Sequence, residues 1–275
     1  MTTNIELPTD CWSEVLSFIP IYNRIRAAQT NKEIYKCLRF SFIGQTINLW
    51  NCQNITDAGL ANLRNVKDIN LMGCQNITDA GLAHLENVKE INLRGCRWLT
   101  DVGLSHLRNV EKINLARCQN ITDGGLTHLK NVKEIDLYCC RNITDAGLAY
   151  LENVKDINLR FCRWLTDAGL AHLRNAKVID LWGCQGVSDA GLAHLSNVDN
   201  IGLSGCEGIT DAGLTHLKNV KEIDLRECYV TDVGLAHLEN VKVINLTCCC
   251  DGVTDSGKQR LRARGVQVID RFPLY

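Results

Sequence analysis

Residues 66–87 read V-K-D-I-N-L-M-G-C-Q-N-I-T-D-A-G-L-A-H-L-E-N, and close copies of this stretch fill most of the chain. The clearest marker is a cysteine every 22 residues, at Cys52, Cys74, Cys96, Cys118, Cys140, Cys162, Cys184, Cys206, Cys228 and Cys250. A fixed period of this length indicates a solenoid, in which each repeat packs only on its neighbours. We therefore expect the function to lie on an extended surface rather than in a single pocket.

The first half of each copy predicts a strand. Val66, Ile69, Leu71 and Cys74 fit the spacing L-x-x-L-x-L-x-x-[NC], which resembles the leucine-rich repeat. The resemblance implies an α/β horseshoe of about ten repeats, with a parallel concave sheet and short helical turns on the convex side. The predicted strand centres are Ile47, Ile69, Ile91, Ile113, Ile135, Ile157, Ile179, Ile201, Ile223 and Ile244.

The second half of each copy predicts one or two helical turns. Thr78 and Asp79 precede the turn, and the side-chain oxygen of either could accept an unpaired backbone N–H at an N-cap. Leu82 and Leu85 then face the core. We assign Asn87 to the left-handed position after the helix, which asparagine tolerates nearly as well as glycine does.

The solenoid is expected to span residues 44–275, with a C-terminal cap from about residue 256. Lys258, Gln259 and Arg260 replace the Leu-Ala-His of other copies there, and a terminal repeat needs a polar outer face. Val266, Val268 and Ile269 could supply a last strand. The ninth copy is one residue short after Cys228, and the tenth regains that residue near Cys248–Cys250.

Composition narrows the classes of partner and compartment. The chain carries 30 basic and 31 acidic residues, a balance that favours neither nucleic acid nor an anionic membrane as the main partner. No apolar run approaches the roughly 20 residues that span a bilayer, and the first ten residues lack the pattern of a signal peptide. Reduced thiols in the cytoplasm or nucleus are therefore expected, in a chain that is monomeric apart from its complex.

Residues 1–43 differ from the repeats and predict three short helices. Helical spacing covers Trp12 to Ile19, and Pro20 ends that helix. The segment resembles an F-box, whose pattern begins L-P-x-[ED] and continues with apolar pairs and a second L-P. The residues that match include Leu7, Pro8, Asp10, Val15, Leu16, Phe18, Ile19, Pro20, Ile25, Ala28, Lys32 and Tyr35. The second L-P is Ile-Pro here, and Tyr35 is nearest to the usual tryptophan of the third helix.

The resemblance implies a non-catalytic substrate receptor of a cullin–RING ubiquitin ligase. In that family, the F-box docks on a Skp-type adaptor and the repeats hold a protein substrate. The residues carried over to adaptor binding are Leu7, Pro8, Val15, Leu16, Ile19, Pro20 and Ile25. Two alternatives stay open: residues 1–43 could serve only as an N-terminal cap, and the chain could be a stand-alone interaction scaffold without a ligase.

One column of the repeat varies freely while most columns barely change. Two residues before each cysteine stand Trp50, Met72, Arg94, Ala116, Tyr138, Arg160, Trp182, Ser204 and Arg226, with Thr247 at the last strand. We expect this column and the next to face the concave side, and arginine, tryptophan and tyrosine dominate interface energetics. The predicted substrate-binding stripe is Trp50, Arg94, Tyr138, Arg160, Phe161, Trp182 and Arg226. Drift of an unconstrained surface is the competing explanation.

The other residues typical of reactive sites are repeated rather than unique. Seven histidines occupy one convex column, where a solvated row is the simpler interpretation than a metal ladder. No C-x-x-C pair or zinc-finger spacing is present, and no nucleotide or hydrolase motif occurs. We therefore expect no metal, no cofactor and no catalytic residues, which leaves a repeat-bearing enzyme as the weakest alternative.

Overall fold

The computed structural model describes residues 46–53, 55–249 and 252–271. The seven residues predicted to bind an adaptor lie outside these ranges, as does the whole of the F-box-like segment. Within the described ranges, eleven parallel strands form one open sheet in the order β1 to β11. They are β1 Thr46–Asn48, β2 Asp68–Asn70, β3 Glu90–Asn92, β4 Lys112–Asn114, β5 Glu134–Asp136, β6 Asp156–Asn158, β7 Val178–Asp180, β8 Asn200–Gly202, β9 Glu222–Asp224, β10 Val243–Asn245 and β11 Gln267–Ile269.

A short helix follows each of the first ten strands. These helices are α1 Asp57–Leu60, α2 Asp79–Leu82, α3 Asp101–Leu104, α4 Asp123–Leu126, α5 Asp145–Leu148, α6 Asp167–Leu170, α7 Asp189–Leu192, α8 Asp211–Leu214, α9 Asp232–Ala236 and α10 Asp255–Ala263. Single 3-10 turns extend three of them, at Ala61–Leu63, Ala83–Leu85 and Ala193–Leu195. Strand, turn and short helix therefore repeat as predicted, and the last helix, α10, is the longest among the described residues.

The register of the sheet follows the isoleucine column. Ile47 pairs with Ile69, and the same pairing runs rung by rung to Ile244 opposite Val268. The isoleucines, the leucines two residues on and the helical leucines form one continuous buried cluster. Burying one apolar stripe per repeat against the next is what holds such a fold together, because each repeat alone has too little core.

Eight of the repeat cysteines, from Cys74 to Cys228 at intervals of 22 residues, are buried as free thiols, whereas Cys139 is half-buried and Cys248 is exposed. The Sγ of each of these eight, and that of Cys249, donates to the backbone oxygen of the leucine 24 or 25 residues earlier, over 3.0–3.3 Å. The tenth thiol of the series is Cys249 rather than Cys250, because the ninth repeat is one residue short and Cys249 contacts Leu225. The cysteine that points inward is therefore set by the register of the sheet, and the 22-residue spacing of cysteines in the sequence no longer identifies it in the last copy.

An aspartate of each repeat holds the next repeat in place. Asp101 accepts the backbone N–H of Thr122 at 2.8 Å, and its second oxygen accepts the Thr122 hydroxyl. The same pair of bonds recurs between Asp145 and Thr166, at 2.9 and 2.6 Å. The threonine caps its own helix, as predicted, whereas the aspartate acts across the repeat boundary. Because the threonine and the aspartate have different hydrogen-bonding roles, both residues recur in the repeats.

The left-handed residue lies elsewhere than predicted. Asn87 and its counterparts are not left-handed; several of these asparagines instead donate from the side chain to a backbone carbonyl of the preceding repeat, as Asn109 does to Glu86. The left-handed position is the residue before each inward cysteine. It is occupied by Asn51, Gly73, Gly95, Arg117, Cys139, Phe161, Gly183, Gly205, Glu227 and Cys248.

Candidate functional site

The turn that ends each strand carries the candidate site. The asparagine or aspartate at the end of the strand accepts the backbone N–H two residues on, over 2.9–3.1 Å, at all nine positions that carry one. A bond from the Asn114 amide to Asp136 joins two neighbouring rungs, but the column serves mainly to fix the turn within each repeat.

The left-handed residue of the turn is costly in three consecutive repeats. Glycine adopts this conformation freely, and other residues pay about 1–2 kcal/mol. Repeats two and three use Gly73 and Gly95, whereas the next three use Arg117, Cys139 and Phe161. Backbone strain that is retained where glycine would relieve it is typical of sites where the side chain has a role. Asn51, Glu227 and Cys248 share this conformation near the ends of the sheet, and the run of three lies in its middle.

Three aromatic rings pack across that middle section. The ring centroids of Tyr138 and Phe161 are 5.9 Å apart with an edge-on geometry, and those of Phe161 and Trp182 are 5.2 Å apart. Aromatic pairs at such distances add about 0.5–1.5 kcal/mol beyond area burial. The three rings, each half-buried, form a continuous ridge over neighbouring rungs.

Arginines cover the two ends of the ridge. Arg94 and Arg117 lie 5.7 and 5.3 Å from the centroid of the Tyr138 ring, and Arg117 also donates to the Tyr138 hydroxyl at 3.4 Å. Arg160 lies 4.0 Å from the centroid of the larger Trp182 ring. A guanidinium over an aromatic face is held by the ring quadrupole while its edge stays free to donate hydrogen bonds.

Arg226 closes the cluster on the far side. It lies 5.2 Å from the Trp182 centroid and makes a bidentate contact with Asp224, the shorter bond measuring 2.7 Å. Asp180 sits 3.8 Å from Arg160, and burial raises the pKa of that carboxyl above its usual value despite the opposing charge. Both ends of the ridge are therefore charged, but only the Trp182 end is paired with carboxylates.

Six of the seven predicted stripe residues meet in this cluster. Trp50 does not; its side chain is 62% exposed on the first rung, with Met72 on the rung between it and Arg94. Ala116, Ser204 and Thr247 belong to the same column but are buried, so the column is not exposed throughout as predicted. Arg117 was missed, although it stands in the neighbouring column at the left-handed position.

The opposite half of the sheet face is acidic. A cavity there is lined by Asp68, Glu90, Glu134, Asp136 and Asp156 around a single cation, Lys112. Lys112 lies 3.1 Å from Glu134 and 3.7 Å from Glu90. Burial and the neighbouring carboxylates raise the pKa of Asp156. In repeats two to six, most acids therefore lie towards the strand starts and the arginines towards the strand ends, whereas Asp180 and Asp224 stand beside the arginines further along the sheet.

The other candidates for chemistry lie apart from one another. In the described ranges, no group of three His, Cys, Asp or Glu side chains is placed to hold a metal ion. Trp98 and Trp164 occupy matching positions in two strand-to-helix turns, and each is 66% exposed. None of the helices in the described ranges combines the length and the apolar character of a membrane-spanning segment.

Comparison with known proteins agrees with this geometry. The leucine-rich repeat family model matches three successive copies, at residues 62–85, 84–107 and 106–129. A search of curated proteins found no match.

Solved structures share the architecture at low sequence identity. An internalin, InlF of Listeria monocytogenes, aligns over 100% of both chains with 13% identity and a TM-score of 0.62. Rad7 in its complex with Elc1 from yeast covers 96% of this chain and 91% of its own, at 16% identity and a TM-score of 0.50. Mouse RP105 in complex with MD-1 covers 74% of this chain and 39% of its own, at 18% identity and 0.56. The described residues therefore form a leucine-rich repeat solenoid.

Proposed function

We propose that this chain is a non-catalytic protein-binding solenoid that presents a substrate to a cullin–RING ubiquitin ligase. In this proposal residues 1–43 dock on a Skp-type adaptor, and the solenoid from residue 44 holds a protein substrate on its concave face. The chemistry belongs to other subunits, and this chain contributes proximity. A stand-alone interaction scaffold, without an adaptor, is the second candidate.

The observation that carries the proposal is the cluster around Tyr138, Phe161 and Trp182. Interfaces concentrate their energy in a few tyrosines, tryptophans and arginines near the centre of the contact. Here those residue types are already packed against one another, so little side-chain entropy remains to be lost on binding. Two neighbours of similar fold, Rad7 and RP105, were crystallised with partner proteins, which is in keeping with a protein partner.

Alanine at Tyr138, Arg160 and Trp182 together is expected to abolish partner capture. Loss of one such central residue typically costs 2 kcal/mol or more, so the triple variant should bind at least about 100-fold more weakly. The measurement is proximity labelling in cells with quantitative mass spectrometry. The control replaces one aromatic residue and two arginines that are exposed on the helical side, Tyr150, Arg108 and Arg174. Equal recovery of the same proteins by both triple variants would place the interface elsewhere.

The adaptor is tested separately, because the substrate surface and the adaptor surface are different parts of the chain. The purified full chain should capture a Skp-type adaptor, and Leu7→Asp combined with Pro8→Ala should lose that capture at least about tenfold. Partner labelling through the solenoid should be unchanged in this variant. If the intact chain captures no adaptor while the solenoid still labels partners, the scaffold without a ligase is the correct function.

A further inference from the structure

A second cavity on the sheet face is lined by arginines without any carboxylate. It runs along the strand-end turns of the first five repeats, and its principal lining residues, here called the arginine groove, are Trp50, Met72, Arg94, Arg97, Arg117 and Arg141. The rest of its lining is Asn51, Gly73, Gln75, Gly95, Gln119 and Cys139. Four positive charges therefore face one cavity in a chain whose net charge is −1.

The groove arginines have no ionic partner within the part of the chain that the structure describes. Among the described residues, Arg94, Arg97, Arg117 and Arg141 form no salt bridge, whereas Arg160 and Arg226 each face an aspartate. Arg94 and Arg117 are both oriented by the Tyr138 ring. Arginine stays protonated at any physiological pH, so the groove cannot relieve its own repulsion by losing protons. Arg97, Arg117 and Arg141 are exposed, so water and salt already screen part of this repulsion, and a bound anion would reduce it further.

The shape and surroundings of the groove select the kind of anion. Five rungs at about 4.8 Å span about 20 Å, the length of about six extended residues. Trp50 and Met72 provide an apolar wall at one end. The acidic cavity around Glu90 and Glu134 lies on the same sheet face and would repel a long polyanion such as RNA. A short anionic segment with neutral or basic flanks avoids that repulsion.

We propose that the arginine groove binds a short peptide segment that carries two or more carboxylate or phosphate side chains. This inference rests on the proposed function and deepens it, since it names the chemistry by which the protein partner is recognised. The planar guanidinium groups match both anions, because each can donate two parallel hydrogen bonds to a pair of oxygens. The apolar wall would accept an aliphatic or aromatic residue next to the acidic positions.

The test measures binding of synthetic probes to the full-length protein. Three fluorescein-labelled peptides of about ten residues share one sequence and carry two phosphoserines, two glutamates or two serines at the same positions. A single-stranded RNA of about ten nucleotides is the fourth probe. Fluorescence anisotropy at about 50 mM and about 300 mM NaCl gives the affinity and its salt dependence.

Two groove variants are compared with one charge-matched control. Arg97→Ala with Arg141→Ala removes two charges that have no contact with the aromatic ridge, and Arg94→Ala with Arg117→Ala removes the pair on Tyr138. Arg108→Ala with Arg174→Ala removes two exposed charges on the helical side. At least one acidic peptide should bind at least tenfold more tightly than the serine peptide. Each groove variant should weaken it at least tenfold, and the control by less than twofold. Whichever acidic peptide binds better identifies phosphate or carboxylate as the source of the charge.

Three results would overturn the inference. They are no binding of either acidic peptide below about 1 mM, equal losses in the groove and control variants, or tighter binding of RNA than of both acidic peptides. Failure of the proposed function is separable from these. If the variant at Tyr138, Arg160 and Trp182 loses its cellular partners while no acidic peptide binds, the protein-binding function stands and only the groove assignment falls.

Discussion

Raising the pH from about 8 to about 10 is expected to unfold the solenoid. The eight fully buried thiols together should destabilise it by about 11 kcal/mol per pH unit, at about 1.4 kcal/mol each, once the pH exceeds their unfolded-state pKa. That loss is comparable with the whole stability of a typical domain, about 5–15 kcal/mol. Alkaline pH should therefore act on this protein far more strongly than on one with few buried cysteines.

The cause is the burial of the thiol column. Burial raises the pKa of the Cys74 and Cys184 thiols to about 12 and that of Cys96 to about 11. It raises the pKa of the other buried thiols as well, at Cys118, Cys140, Cys162, Cys206 and Cys228. In the unfolded chain the same thiols ionise near pH 8.5.

The sign follows from proton binding. Above about pH 8.5 the unfolded chain releases protons that the folded chain keeps, so unfolding becomes more favourable as the pH rises. The stability is fully present below the unfolded pKa. It is lost across the window up to about pH 11, where the folded thiols begin to ionise themselves.

The slope of the free energy of unfolding against pH is proportional to the number of buried thiols. Urea unfolding followed by circular dichroism at a series of pH values between about 8 and about 10 gives this slope. Replacing Cys118 and Cys140 by alanine removes two of the eight thiols, so the slope should fall by about a quarter even though the variant is less stable at every pH. An unchanged slope would show that ionisation of the buried thiols does not drive the alkaline transition.

Periodicity was sufficient to predict the fold because the same physical demand recurs in every repeat. One inward isoleucine, one inward leucine and two helical leucines must meet their counterparts in the next copy, so the strand centres at Ile47 to Ile244 were predicted correctly. The expected last strand also formed, at Gln267–Ile269. Burial patterns are local in sequence, and a single copy displays them.

Contacts between neighbouring repeats could not be predicted in the same way. A recurring Thr-Asp pair looks the same whether the aspartate caps its own helix or bonds to the threonine of the next repeat, as Asp101 bonds to Thr122. A recurring asparagine likewise suits a left-handed residue or a side-chain bond such as that from Asn109 to Glu86. The relative placement of two neighbouring repeats decides between these possibilities. The sequence of a single repeat does not show that placement.

The sequence predicted most of the residues of the candidate site, but it did not predict how they pack against one another. Variation in one column marked Tyr138, Arg160 and Trp182, because exposed positions are free to differ. The role of Arg117 depends on its left-handed backbone, which directs its side chain onto the Tyr138 ring of the next rung. Among the described residues, the groove arginines form no salt bridge. This could not be predicted from one repeat, because it depends on the positions of the carboxylates of all neighbouring repeats.

Gly124 and Gly125 are adjacent in α4, yet replacing each with alanine is expected to have opposite effects on stability. A Cβ at Gly125 would lie 2.5 Å from Asp101 Oδ1 and 2.9 Å from Leu104 Cδ1, so the carboxylate must move away from Thr122. The loss of both Thr122 hydrogen bonds to Asp101 outweighs the gain in helix propensity. We therefore expect the free energy of unfolding to fall by about 2 kcal/mol.

A Cβ at Gly124 meets more open surroundings. Its nearest neighbour would be Asp101 Oδ2 at 3.0 Å, and eight of the other nine helices carry alanine or valine at this position, with serine in α10. Gly124→Ala should therefore gain about 0.5–1 kcal/mol, because alanine favours the helix and restricts the unfolded chain. Urea unfolding of the two variants measures both signs in one experiment.

A double-mutant cycle isolates the cause of the loss at Gly125. If this glycine is required only to leave room for the Asp101 carboxylate, Gly125→Ala should cost less than about 1 kcal/mol in an Asp101→Ala background. Hydrogen exchange at the Thr122 amide supplies a local measurement, since its bond to Asp101 is broken in either single variant. A full loss of about 2 kcal/mol that persists without Asp101 would assign the glycine to packing against Leu104, and the aspartate would no longer explain why glycine recurs at this position in every helix from α1 to α10.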